Sequence, residues 1–314
     1  MEATIGFAES GPHPAKPSRC VSVVIPHYGD PAPTLALIDA LEKGNTAPLA
    51  RIIVSDDRSP IPFPERDGVE IVRRASNGGF GSAVNSGMEL VDSELALVLN
   101  SDLEIGPAFI ADLLAAASPW QPAVVSPQVH DPDGSCQWVG RHFPTASHQV
   151  VEWLTPLARF RHRRPLHEFV GHDTRCADGA VVPVDWVVGA AMLIPVAEFR
   201  AVGGFDERFF MNAEEVDLQR RLRERGVPSV FAGTVAVVHE GGGSSDPARR
   251  RQWLVESRLA YAQKWGGERR LRAGLAAASV ANWAVNVIRQ AAGREVDAIG
   301  TLGRELAYLR GRSR

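Results

Sequence analysis

The chain has 314 residues, of which 45% are hydrophobic and 23% charged, and a formal net charge of −3 at pH 7. That length holds one large domain or two small ones, the composition is that of an ordinary globular protein, and the charge gives no case for a nucleic-acid partner. Three scattered cysteines, Cys20, Cys136 and Cys176, make neither a disulfide framework nor a zinc site.

Residues 1–19 are rich in Pro, Gly and Ser, lack the apolar segment of a signal peptide, and read as a flexible leader. No run reaches the ~18 uninterrupted apolar residues of a spanning helix. Val21–Ile25 is a β-branched run that ends at Pro26 and predicts a central parallel strand. The residues just past it, His27, Tyr28, Gly29 and Asp30, would line the crevice where open α/β sheets bind ligands. A helix follows over Thr34–Leu41, then a strand over Arg51–Ser55 that ends in Asp56 and Asp57. Acids in that place either face a base or ribose, or form a solvated turn.

Val69–Arg73 predicts a third strand, followed by Asn77–Gly78–Gly79–Phe80–Gly81 and, further on, Asn85. A glycine loop that opens a helix can offer backbone N–H groups to phosphate. It is not a dinucleotide fingerprint, because Val84 stands where the third glycine belongs, and it lacks the lysine of a P-loop. The apolar strand Glu94–Leu99 ends in Asn100–Ser101–Asp102, ahead of a helix over Ala108–Ala117. Asp102 there either caps that helix or serves as a ligand for a hard divalent cation. After a strand at Ala123–Ser126, residues 128–180 are irregular, with Trp138, His142, His148, Trp153 and the basic run Arg159–Arg164. A long loop of this kind would cover an acceptor, touch anionic lipid, or stay solvated.

Trp186–Ile194 reads as one buried strand, followed by a short helix and the turn at Gly203–Gly204. Glu214, Glu215 and Asp217 then open a helix with a basic last turn that Gly226 ends. Asn212 and Glu215 have the spacing of a capping box, and acids at a helix start are favoured by the macrodipole. Against that bland account stands the strand Val235–His239, whose terminal histidine precedes the flexible run Glu240–Ser245 and is placed to meet a ligand. Helices are expected over Pro247–Trp265, Leu271–Ile288 and Glu295–Leu309. The middle one, flanked by arginines, would lie on a membrane surface or serve as a packing or dimer helix.

The run from Gly189 to Gly226, followed by Val238–Ser245, resembles the inverting family 2 glycosyltransferases, most closely their rhamnosyltransferase-type branch. The resemblance implies an α/β GT-A fold: a mostly parallel central sheet with helices on both faces, over residues 20–265, divided at 127 into nucleotide-binding and acceptor halves. A helical extension over 266–314 would follow. It further implies that Glu215 stands at the catalytic-base position, where the family usually has Asp, with Glu214 and Asp217 able to share that role. Pro26, Tyr28, Asp56, Asp57, Asn77, Gly79, Asn85, Asn100, Ser101 and Asp102 would border the nucleotide sugar. Trp186, Gly189 and Ala190 would border the acceptor, and Asp102 with His239 would hold Mg2+ or Mn2+.

The expected reaction is transfer of a sugar, L-rhamnose being one candidate, from a dTDP- or UDP-sugar to a hydroxyl of a glycan or polyprenyl-linked acceptor. The expected setting is the cytoplasm, at the inner face of the plasma membrane if the extension binds lipid, or as a homodimer if it binds a second copy. Two alternatives remain open: an inactive sugar-nucleotide-binding protein, and a sugar-phosphate nucleotidyltransferase. The latter would need a Gly-rich loop with Arg and Lys where His27–Asp30 stands.

Overall fold

The computed structural model describes residues 21–44, 49–160, 163–241 and 247–310. The leader, part of the basic run and the glycine–serine loop after Gly241 lie outside the described residues. Alternation of β-branched runs with helical segments builds the first half: β1 (Val21–His27), α1 (Pro31–Lys43), β2 (Leu49–Asp56), β3 (Val69–Arg73), α2 (Phe80–Met88), β4 (Leu95–Leu99), the short β5 (Leu103–Glu104), α3 (Phe109–Ala117) and β6 (Val124–His130). The second half adds β7 (Gly140–Arg141), α4 (Ala146–Trp153), α5 (Arg164–Phe169), β8 (Val181–Val184), β9 (Trp186–Val187), β10 (Ala191–Pro195), α6 (Val196–Ala201), α7 (Glu214–Glu224) and β11 (Ser229–His239). Three helices close the chain: α8 (Pro247–Trp265), α9 (Glu268–Ala291) and α10 (Ala298–Arg310).

Nine strands form one sheet in the order β3-β2-β1-β4-β10-β6-β11-β5, with β8 also on β11. β3, β2, β1 and β4 are parallel, and β6 is parallel to β11. β10 runs antiparallel between β4 and β6, so all the parallel strands point the same way. Every side chain of β4 and β10 is buried, which explains their unbroken apolar sequences: both faces of the sheet are covered there. The consequence for function is positional. Tyr28 after β1, Asp57 after β2, Asn100 after β4 and His239 at the end of β11 all lie along the C-terminal edge of the sheet.

Two expectations are corrected. Trp186–Ile194 is not one strand: the chain breaks at Val188–Gly189–Ala190, where the Ala190 carbonyl accepts the Asn100 N–H at 2.8 Å. Residues 128–180 are not a solvated loop. Their helix α4 packs on α9, and Trp153 shares a second apolar core with Val255, Leu259, Leu271 and Leu275. No run is uninterrupted, as expected, yet α9 is long and apolar enough to cross a membrane by length and composition. Its Asn282 is nevertheless buried, donating to the Trp153 carbonyl at 2.9 Å and accepting from the Thr155 N–H at 3.0 Å. These bonds tie α9 into the fold.

The thiol of Cys176 sits against Gly140, and burial pushes its pKa up to about 12, as for an inert core thiol. Asn85 fastens α2 to the turn before α7: its Nδ2 donates to the Phe205 carbonyl at 2.9 Å, and its Oδ1 accepts the Phe205 N–H at 2.9 Å. Asn85→Ala leaves both backbone groups without their partner. Thermal or urea unfolding should show a loss of about 1–3 kcal/mol; an unchanged midpoint would refute the bracket.

Candidate active site

At the end of β2 the two aspartates turn inward. Asp56 accepts the N–H groups of Ser59 at 2.8 Å and Phe63 at 3.0 Å. Burial pushes its pKa up, but these hydrogen bonds outweigh it and the net direction is down. Asp57 accepts from Gly78 N–H at 3.0 Å, Gly79 N–H at 2.7 Å and Arg74 at 3.0 Å, and burial holds its pKa above the usual carboxylate range. Asp57 therefore clamps the glycine loop to the sheet edge. Gly79 has φ +85°, and a β-carbon there would collide with the Phe210 carbonyl oxygen. Only glycine allows this approach between the glycine loop and the turn ahead of α7.

Along the same edge Asn100, Asp102 and His239 meet. Asp102 Oδ1 lies 3.1 Å from His239 Nε2, and Asn100 Nδ2 is hydrogen-bonded to that nitrogen at 3.1 Å. The other Asp102 oxygen accepts the Gly241 N–H at 3.2 Å. Burial works against ionisation of Asp102, but its bonds and attraction to His239 prevail and its pKa is lowered. Gln137 orients the ring. Its Nε2 donates to Asp131 Oδ1 at 2.7 Å and to the His239 carbonyl at 3.1 Å. Its Oε1 is thereby turned to His239 Nδ1 at 3.0 Å. With Nδ1 turned to Gln137, Nε2 is the ring nitrogen that faces the Asp102 carboxylate. An imidazole nitrogen and a carboxylate oxygen facing one point form a donor set suited to Mg2+ or Mn2+.

The three acids of α7 have three different surroundings. The capping box is absent: α7 has Ala213 as its N-cap with no side-chain bond, because Asn212 and Ala213 both have left-handed backbone, at φ 69° and 70°. Two consecutive non-glycine residues in that region carry strain. Asp217 is wholly buried and accepts from Arg221 at 2.9 Å, Lys264 at 2.7 Å and the Trp265 indole at 2.8 Å. It pins α8 to α7. Glu214 is buried beside α2, with Oε2 unpartnered. Burial, and next the charge of Glu215, push its pKa well up. Glu215 lines a cavity of about 300 Å³ with Asn212, Trp186, Arg141, His148, Arg258 and Tyr261. Burial raises its pKa too, while the Arg141 guanidinium pulls the other way.

A family model described as glycosyl transferase family 2 matches residues 22–179. The chain belongs to that family. An N-acetylglucosaminyl-diphospho-decaprenol L-rhamnosyltransferase of Mycobacterium tuberculosis is 33% identical over 210 residues, which cover 62% of this chain and 67% of that protein. Among solved structures, GalNAc-T7 with UDP, GalNAc and Mn2+ aligns over 84% of this chain and 51% of its own, with a TM-score of 0.57 at 16% identity. The mannosyltransferase PcManGT of Pyrobaculum calidifontis, in complex with GDP-Man and Mn2+, aligns over 97% of this chain and 84% of its own, with a TM-score of 0.53 at 16% identity. The fold is GT-A, and the protein is a glycosyltransferase.

In this glycosyltransferase the sequence-predicted residues fall into two sets. Asn100, Asp102 and His239 stand together, Ala190 positions Asn100, and Trp186 lines the cavity beside Glu215. Tyr28 is exposed after β1, Pro26 is half-buried within it, and Asn77 is exposed on the glycine loop. Ser101 is half-buried between Asn100 and Asp102, and Gly189 packs against Phe80. Asp56, Asp57, Gly79 and Asn85 instead brace the backbone. His27, expected to line the crevice, is buried on Thr34 at 2.8 Å, and Asp30 caps α1.

Gln137, Arg141 and Arg258 were not foreseen. No local motif marks them, since each matters only through partners far along the chain. A further group, His142, Glu168 and Asp173, brings ligand atoms within 4.8 Å, but its Asp173 is paired with Arg175 at 2.6 Å.

The raised Glu214 pKa has a thermodynamic signature. Between the unfolded and folded pKa values the native state binds more protons, so stability is present at low pH and lost as pH rises through the folded pKa. As pH rises from about 5, the wild type should lose more of its melting temperature than Glu214→Gln does. Equal slopes would remove the buried-proton account.

Proposed function

We propose that this enzyme transfers a sugar, with inversion, from a dTDP- or UDP-sugar to a hydroxyl of a glycan or lipid-linked acceptor. L-rhamnose is the donor sugar that the mycobacterial relative's name supports. The catalytic domain spans residues 20–265, with nucleotide and acceptor halves meeting near 127, and 266–314 is a helical extension. The observation that carries the reading is the contrast among the α7 acids. Glu215 alone of the three lines the cavity.

Burial, and next the charge of Glu215, raise the pKa of Glu214, while Arg141 favours the ionised form of Glu215. Ionised Glu215 is the general base. It takes the proton of the acceptor hydroxyl as that oxygen attacks C1 from the face opposite the diphosphate. The C1–O bond to the diphosphate breaks as the glycosidic bond forms. A bound divalent cation supplies charge neutralisation at the diphosphate leaving group. Asp102 and His239 would hold that cation, with Gln137 orienting the His239 ring. Asn100 and Ser101 border the diphosphate, and Trp186 offers an apolar wall to the acceptor sugar.

Two variants test the roles separately. Glu215→Gln should lower kcat by roughly 10²–10⁴-fold while nucleotide binding persists. Turnover that stays near wild type would eliminate Glu215 as the base. Asp102→Ala should abolish the Mn2+- or Mg2+-dependent part of UDP or dTDP binding in calorimetry. Metal-independent binding in the wild type would defeat the metal assignment. The base that binds more tightly identifies the donor nucleotide.

A further inference from the structure

The outer face of α9 is apolar, basic at one end and unpartnered among the described residues. Its inner face is committed: Leu271, Leu275 and Ala278 pack into the second core, and Ser279 accepts from the Trp153 indole at 2.9 Å. On the opposite side Val280, Trp283, Val287 and Ile288 are solvent-exposed, Trp283 by 37% and Ile288 by 69%. No charged residue occurs between Ala273 and Ile288. Steps of four, four, three, four and three residues carry one stripe from Arg269 through Ala273, Ala277, Val280 and Ala284 to Val287. Exposed Arg269 and Arg270 thus stand at the N-terminal end of the apolar face, and no acid lies on it.

We infer that this face docks on an anionic lipid bilayer. Apolar side chains with an interfacial tryptophan enter the acyl boundary, and the arginines meet lipid phosphates. A second copy is a poorer occupant by charge. Two-fold antiparallel pairing of α9 would offer Arg269 and Arg270 no acid from the other copy's helix, since none occurs between Arg269 and Arg294. Spanning is also disfavoured, because the bonds of Ser279 and Asn282 hold the inner face to α4. The helix lies on the membrane. It is one helical layer from the cavity, since α4 and α8, on which it packs, supply His148, Glu152, Arg258 and Tyr261 to the cavity wall.

The test is co-sedimentation of the full chain with phosphatidylcholine vesicles, with and without phosphatidylglycerol, beside the mass in solution. Binding should require phosphatidylglycerol. Val280→Glu with Val287→Glu, and separately Arg269→Glu with Arg270→Glu, should each lower it by about tenfold or more. All four positions are exposed, so thermal unfolding should stay at the wild-type midpoint. Absence of vesicle binding, equal binding to neutral vesicles, or binding that both double variants retain would overturn the inference. So would a dimer that the valine double variant disperses, since the face would then belong to a second copy.

Discussion

The site depends on one close approach: the glycine loop against the turn that precedes α7. Asp57, at the end of β2, draws the N–H groups of Gly78 and Gly79 onto the sheet edge, and Gly79 lies against the Phe210 carbonyl where no side chain fits. Asn85 clasps the same segment from the other side through Phe205. Held at both points, the chain passes through the left-handed pair Asn212–Ala213 and enters α7 with Glu215 at the cavity. The strain of that pair is tolerated because packed neighbours on both sides determine the backbone path. Residues that look like nucleotide ligands in the sequence thus fix where Glu215 stands.

Within α7, electrostatics separates three carboxylates that sit within four residues of one another. Asp217 is held by two cations and an indole. Glu214 is buried, and burial with the charge of Glu215 pushes its pKa up. Glu215 lies between these extremes, with Arg141 near and the cavity open before it. Burial and charge neighbours divide structural anchor, buried acid and cavity-facing carboxylate. At the sheet edge a comparable arrangement exists for the ring of His239, whose orientation follows from the bonds of Gln137.

The C-terminal helices complete the cavity as well as following it. Lys264 and Trp265 on α8 anchor Asp217, Arg258 and Tyr261 on the same helix reach the cavity, and α9 supports α4 from behind. Loss of these helices would therefore be felt at Glu215 as well as in the second core.

By itself the sequence determined the alternating strands and helices of the first half, the acids opening α7, and the motifs at Asn100–Asp102 and His239, because these are local patterns of period, turn chemistry and spacing. It also carried the family resemblance. Only the tertiary structure decided which acid faces the cavity, that Asp56 and Asp57 are bound to backbone, that residues 128–180 supply α4 and Arg141, and that the Asn212–Glu215 spacing is no capping box. The reason is physical. A carboxylate's role follows from burial and from its charged neighbours, and here those neighbours, such as Arg141, Lys264 and Trp265, lie tens of residues away, brought close only by the packing of the sheet and its helices.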